Sequence, residues 1–376
     1  MIKSRYWSFA IATACILNMA ATSSLAQDAL SDRAKIDRGH WTPERILGAQ
    51  SLAAPEPALS LSNLMVNTEA LQFADSTVSG SGAAPSAARP KDGSRLYAVE
   101  ELPRIAPDDV GDVQPLDVGS GGGYFSSSRL IPNVARLFYP YSAAGKLFFS
   151  IPGEGDFVCS AGVLRPRLIL TAGHCVHSGS DGVDGFFENF LFVPAFNEGA
   201  ADFLSWEAVA LVVTGSWATS GNTFPNRADF AIIEMRDQVI DGTQRRIGEI
   251  TGFFGFQTNA LIPNHVKMLG YPQAFDGGEI MHQVDAGDFG AAAEETALYG
   301  GDMTGGSSGG PWVENFGEAA LGQTGGLAFR PNRIVGVSSF GFTDEEIKLV
   351  GSSILNDEFL SILEVACARQ AGNCEP

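Results

Sequence analysis

The sequence predicts an all-β fold closed by a C-terminal helix, on three observations. From about Arg129 onward, short runs of Val, Ile, Leu and Phe are separated by Gly, Pro and Asn turns, the pattern of a sandwich or barrel built from many short strands. Leu168 to Leu170, Phe230 to Ile233 and Ile334 to Val337 are three such runs. Near the end the spacing becomes helical: Phe359, Ile362, Leu363 and Ala366 fall on one face, and Asn356 is placed to cap the first turn. With 45% apolar and 18% charged residues, the chain of 376 residues has the composition of a packed globule. Its length allows one large domain with appendages or two domains. It carries no repeat at a solenoid period.

At the N-terminus, Lys3 and Arg5 precede an apolar stretch from Tyr6 to about Ala21, and Ser24-Leu25-Ala26 offers a small-x-small cleavage site. Residues 1–26 therefore read as a signal peptide, and the protein as secreted or periplasmic. The stretch is too short and too rich in Ala, Ser and Thr for a membrane span, which needs roughly 20 strongly apolar residues. Cys15 is not read as a lipid-attachment site, because the apolar run continues through Ile16, Leu17 and Met19. The net charge of -19, with no run of Lys or Arg, excludes an electrostatic grip on nucleic acid or anionic lipid. A monomer without nucleic-acid or membrane partners is expected after signal removal.

Between residue 27 and about 125 there is no cysteine and little periodicity. Stretches such as Ser79-Gly80-Ser81-Gly82 and Gly119-Ser120-Gly121-Gly122-Gly123 bury too little apolar surface to hold a core. Residues 27–128 are accordingly expected to be a poorly structured pro-segment or linker, and residues 129–376 the folded domain. His40 reads as structural or disordered. Four cysteines remain after signal removal, an even number that in an exported chain favours disulfides. Spacing favours Cys159 with Cys175 and Cys367 with Cys374, although four cysteines allow three connectivities.

Chemistry enters at Gly306-Ser307-Ser308-Gly309-Gly310-Pro311, where glycines let the backbone turn sharply around a serine. Taken alone this is as consistent with an ordinary Gly/Ser loop. Thr171-Ala172-Gly173-His174-Cys175 places an imidazole just beyond the run Leu168 to Leu170, and Asp229 opens the run Phe230 to Ile233. Alone, His174 would be an ordinary surface or core histidine and Asp229 a turn residue. Together the three supply a hydroxyl nucleophile, a base, and a carboxylate to hold that base in the right tautomer. The Gly-x-Ser-x-Gly elbow of the α/β-hydrolases is also matched, but those enzymes keep their histidine after the serine. The five histidines here are at 40, 174, 177, 265 and 282, all before Ser308. His177 lacks the Ala-Gly-His-Cys frame and is expected to point outward. Trp217 reads as packing, and Glu294-Glu295 and Glu345-Glu346 as solvated faces, with a calcium site as the alternative reading of that charge.

These three signatures resemble those of the trypsin-like serine proteases over roughly residues 129 to 367. Tyr299-Gly300-Gly301-Asp302-Met303-Thr304-Gly305-Gly306 and Gly270-Tyr271-Pro272 are similar to the bacterial glutamyl endopeptidase-like branch. The resemblance implies a double six-stranded β-barrel of chymotrypsin type with the site between barrels and a polypeptide substrate; no cofactor and no catalytic metal are expected. It also implies roles: Ser308 attacks the carbonyl, His174 relays the proton, Asp229 orients His174, and the N–H groups of Gly306 and Ser308 form the oxyanion hole. A protease fold that only binds, without catalysis, is the alternative.

The resemblance bears on activation and specificity too. Trypsin-type zymogens mature when a new N-terminus pairs with an aspartate just before the nucleophile, and Ser307 stands there instead. Activation by the pro-segment leaving the cleft is expected in its place. Asp302, six residues before Ser308, has the spacing of the carboxylate that binds Arg or Lys. Glutamyl endopeptidases read Glu through a histidine on the strand after the nucleophile, where this chain has Ser338. Ser339 would then bond Asp229, and Phe340 would wall the pocket.

Overall fold

The structure is a computed structural model that describes residues 29–65, 77–98, 126–318, 331–344 and 347–375. The signal segment, Cys15, the glycine run at 119–123 and Glu345-Glu346 lie outside the described residues. The first half of the domain is built from β1 (Ala144–Ile151), β2 (Gly155–Val163), β3 (Leu168–Thr171), β4 (Glu188–Pro194), β5 (Trp206–Thr214) and β6 (Ala231–Met235). They bond in the order β5-β6-β3-β2-β1-β4, and Trp206 and Glu207 of β5 return to Phe192 and Leu191 of β4. A six-stranded antiparallel barrel closes in this way. Closure is what lets such short strands hold: no member of the ring keeps an unpaired edge along its whole length.

The second half contains β7 (His265–Gly270), β8 (His282–Ala292), β9 (Thr296–Gly300), β10 (Pro311–Glu314), β11 (Arg333–Val337) and β12 (Leu349–Ser353). Their order, β12-β9-β8-β7-β10-β11, is the middle of a ten-stranded system extended by short strands such as Gly255–Gln257 and Phe340–Gly341. The two ends of this second set of six are brought round to each other by Val337 N–H on Ser352 Oγ and Ser339 N–H on Gly351 O, and short added strands use the remaining edges.

The helix α1 (Asp357–Arg369) ends the fold. Asn356 Oδ1 accepts the N–H groups of Glu358 and Phe359, satisfying two of the donors that a first helical turn leaves over. Phe359, Ile362, Leu363 and Ala366 are buried, as their spacing predicts. Phe359 packs edge-on against Phe230 and Phe256, joining the helix to both halves. A disulfide joins Cys367 to Cys374 just beyond it.

The expectation of a poorly structured segment before residue 129 does not hold for its described parts. Ala29–Arg33 adds an antiparallel strand to β5, from Ala29 opposite Thr214 to Arg33 opposite Ala210. Thr42 caps a short helix, Pro43–Gly48, whose Ile46 is buried against the barrel. The Gly/Ser stretch at 79–82 is also seated, with Ser79 and Gly80 paired to Gln257 and Phe256. A Cβ at Gly82 would lie 2.5 Å from Gly255 N, so its glycine content serves close approach and not slackness. Weak periodicity misleads here because the described parts of the segment borrow backbone partners and apolar surface from the barrels.

One polar anchor holds this segment. Asp156 receives Arg45 Nη2 at 2.9 Å, His40 Nε2 at 2.8 Å and Ser150 Oγ at 2.8 Å. Burial pushes the Asp156 carboxyl up, but the hydrogen bonds from Arg45, His40 and Ser150 outweigh it and hold the group below the usual carboxylate value. A carboxyl lowered on docking stabilises the docked state above its free value, near 4, and that contribution is lost as pH falls through the docked value. Residues 40–48 should therefore become protease-sensitive on acidification below about pH 4, and Asp156→Asn should show the same sensitivity already at neutral pH. Limited proteolysis across pH 3 to 7, read by mass spectrometry, checks both.

Candidate active site

Register places the first two groups. Ala231 of β6 pairs with Thr171 of β3, so the residues just before β6 lie beside those just after β3. Asp229 and His174 occupy those positions. His174 sits in a single tight turn, Gly173–Cys175, which the Cys159–Cys175 disulfide fastens to β2 with a Cα–Cα distance of 6.3 Å. Asp229 has no solvent exposure and is met by three donors. His174 Nδ1 lies 2.8 Å from Oδ2, His174 N–H donates to Oδ1 at 2.8 Å, and Ser339 Oγ donates to Oδ2 at 2.5 Å. With an ionised acceptor on that side, Nδ1 carries the ring proton and Nε2 keeps a free lone pair. Nε2 is buried without a hydrogen-bond partner among the described residues.

The third group comes from the turn between β9 and β10. Ser160 of β2 grips it twice, its N–H on Ser308 O at 2.7 Å and its hydroxyl on Gly306 O at 2.9 Å. Gly309 N–H donates to Ser338 O at 2.7 Å, so the same turn is also tied to the segment after β11. Gly306 (φ +91°) and Gly309 (φ +75°) adopt backbone conformations that side chains resist. A Cβ on Gly309 would lie 1.9 Å from Thr171 Oγ1 and 2.7 Å from Ala172 N. That closeness seats Ser308 against the residues immediately preceding Gly173-His174. Ser160 and Thr171, which donates to Ser160 O at 2.8 Å, were not legible as site residues; their only sequence signal is adjacency to Cys159 and to the His174 segment.

Other expected positions fall as follows. Asp302 Oδ1 accepts both the N–H and the hydroxyl of Ser127. Ser338 Oγ accepts Trp312 Nε1–H at 3.0 Å. Phe340 is buried with its ring over Gly351, where a Cβ would lie 2.1 Å from it. Ser307 Oγ donates to Thr304 O at 2.6 Å. His177 departs from expectation: it is fully buried, Nε2 donates to Gly182 O at 2.6 Å, and Nδ1 accepts Gly179 N–H at 3.0 Å. Burial pushes its pKa down, and both ring nitrogens are used within its own loop, so it cannot serve as a base. Trp217 is buried against Gly173 and Phe224. His40 is structural, through Asp156. Cys159, His174 and Cys175 bring metal-ligand atom types within 4.8 Å, but the two sulfurs are bonded to each other and offer no thiolate.

Gly309→Ala tests this geometry, since the added methyl meets Thr171 and the positive φ resists it. Overpacking and strain should cost roughly 1–3 kcal/mol in thermal unfolding, and the seat of Ser308 should be lost with it.

No family model matches this chain. It is 26% identical over 223 residues to the glutamyl endopeptidase of Bacillus licheniformis, a match that covers 58% of this chain and 63% of that protein. The protease Anisep from Arthrobacter nicotinovorans matches with a TM-score of 0.50 and 28% identity, covering 60% of this chain and 96% of Anisep. The thermostable serine protease AL20, from an extremophilic microorganism, matches with a TM-score of 0.50 and 26% identity, covering 61% of this chain and 98% of AL20. In sequence and fold the chain is thus similar to these bacterial serine proteases.

Proposed function

We propose that this protein is an exported serine endopeptidase that hydrolyses polypeptides through an acyl-enzyme. The observation that carries the reading is the buried Asp229–His174 pair, whose Nε2 has no partner among the described residues and lies beside a serine turn. In the proposed cycle Nε2 takes the Ser308 proton as the hydroxyl attacks the substrate carbonyl, and Asp229 stabilises the imidazolium that forms. The N–H groups of Gly306 and Ser308 receive the oxyanion. The imidazolium then protonates the leaving amine, and water attacks the ester by the same route.

Export rests on the signal features of residues 1–26; among the described residues no helix is long and apolar enough to cross a membrane. The segment between residues 27 and 128 serves in this reading as a pro-segment. For specificity, Asp302 is proposed to select Arg or Lys before the scissile bond. Ser127 fixes Oδ1, and Oδ2 has no protein donor among the described residues. The relative cited above is named for cleavage at glutamate. Ser338, however, offers a buried substrate carboxylate no positive charge, and leaving such a charge unpaired costs several kcal/mol.

Ser308→Ala and His174→Ala should each lower peptide hydrolysis on the order of 10⁴-fold; Ser308→Ala should leave thermal unfolding unchanged, whereas His174→Ala, which takes one donor from the buried Asp229 carboxylate, should also lower the unfolding temperature. Turnover within tenfold of wild type would remove these residues from the mechanism. A fluorophosphonate should label Ser308 covalently; a protein that uses the fold only for binding would stay unlabelled. Digestion of a mixed peptide library should yield new C-termini ending in Arg or Lys. Cleavage mainly after Glu, or an unchanged preference in Asp302→Ser, would overturn the proposed role of Asp302.

A further inference from the structure

Residues 50–65 cross the site from one sheet system to the other. Gln50 and Ser51 lie parallel to Phe157 and Val158 of β2, and Leu52 N–H donates to Val158 O at 3.2 Å. The Leu52 carbonyl then takes the N–H of Gly306 at 3.3 Å. This N–H is one of the two proposed oxyanion donors. Three residues on, Gly341 N–H donates to Pro55 O at 3.0 Å, so the short strand after Ser339 is engaged as well. Ala58 N–H reaches Phe224 O at 2.9 Å, and the Phe224 ring stands edge-on to His174 at 5.8 Å.

Beyond this the segment is anchored by apolar contact. Ser60 precedes one helical turn, Leu61–Leu64, and Ala293 N–H caps it on Leu64 O at 2.9 Å. Leu64 has no solvent exposure and packs in a cluster with Phe340, Leu298 and Leu349. Phe340 follows directly on Ser339, the donor to Asp229, so this cluster adjoins the triad itself.

We infer that residues 50–65 are an intramolecular inhibitor that occupies the peptide-binding cleft, and that the cleft accepts the same 16-residue segment as a free peptide. The contacts explain occupancy without turnover. The Leu52 carbonyl is held by a long bond to Gly306, while His174 Nε2 has no hydrogen-bond partner among the described residues, Ser308 included, so no proton path from the serine is engaged. Backbone groups supply most of the polar contacts and one leucine supplies the apolar anchor, so the site reads the segment as an extended chain with an apolar residue about nine positions after Pro55. The inference rests on the triad reading given above and specifies how that site is regulated.

The test uses the full chain in three forms: wild type, Leu64→Asp, which puts a charge into the anchor cluster, and Leu52→Pro, which deletes the N–H donated to Val158. Hydrogen exchange followed by mass spectrometry should show the amides of Gly306 and Gly341 protected in wild type and exposed in both variants. Fluorophosphonate labelling of Ser308 should be about tenfold or more faster in the variants, following the fraction of open cleft. A synthetic peptide of residues 50–65, added to Leu64→Asp, should restore slow labelling and be recovered uncut. Unprotected Gly306 and Gly341 amides in wild type would overturn the inference, as would equal labelling rates in all three forms or cleavage of the added peptide. Protection with no labelling in any form would instead defeat the triad reading and leave the occupied cleft established. Circular dichroism melting of each variant separates loss of the anchor from loss of the fold.

Discussion

Most of this structure answers to one buried charge. A carboxylate without solvent contact costs several kcal/mol unless its lone pairs are used, and Asp229 meets that cost with three donors. Two come from one residue, the amide and Nδ1 of His174, and the third is the Ser339 hydroxyl. The donors therefore belong to both halves of the domain: His174 follows β3 of the closed barrel, while Ser339 follows β11 of the other sheet. Neither half can shift without uncovering the charge. The β3–β6 register, the Cys159–Cys175 disulfide and the bond from Ser339 N–H to Gly351 O all fix positions that this carboxylate requires.

The Ser308 turn obeys a related constraint, since the proposed mechanism requires it to present a hydroxyl at a fixed place while it has no regular structure of its own. Ser160 solves this from the first half and Ser338 from the second, each through short hydrogen bonds to the turn backbone. Ser160 is itself held: its carbonyl takes the Thr171 hydroxyl and its own hydroxyl takes the Tyr271 N–H at 3.0 Å. Bonded groups of this kind polarise one another in a low dielectric, so the turn is stiffer than its glycine content alone would allow. The glycines serve a different purpose, removing methyl groups that would hold the turn away from β3.

Legibility in the sequence followed chain locality. His174, Asp229 and Ser308 each stand beside an apolar run or a glycine cluster, so their settings can be read within a few residues. The α1 face and its Asn356 cap are local in the same sense. Ser160 and Thr171 could not be found this way, because their role lies in contacts 146 and 11 residues away with no pattern attached. The burial of His177 was hidden for a like reason, since its partners Gly182 and Phe186 form a loop around it that has no periodic signature. In the leading segment, Thr42-Pro43 is a helix start that composition alone overlooked: a capping hydroxyl followed by proline at the first helical position. The other described parts of that segment carry no local signal because their partners, among them β2, β5 and the Gly255–Gln257 strand, lie far along the chain.

That dependence also explains how a segment of modest contacts can hold the cleft. A tethered segment faces its site at an effective concentration in the mM range, so even a free affinity of roughly 10 μM would keep the site about 99% filled. Strong local propensity is unnecessary under those terms, and a strongly folded leader would be a disadvantage. Once the chain is cut between the segment and the barrels, the tether no longer acts and the same contacts compete only at the concentration of free peptide. Weak periodicity before residue 129 and tight occupancy of the cleft are thus consequences of a single arrangement, in which the barrels supply the structure and the tether supplies the affinity.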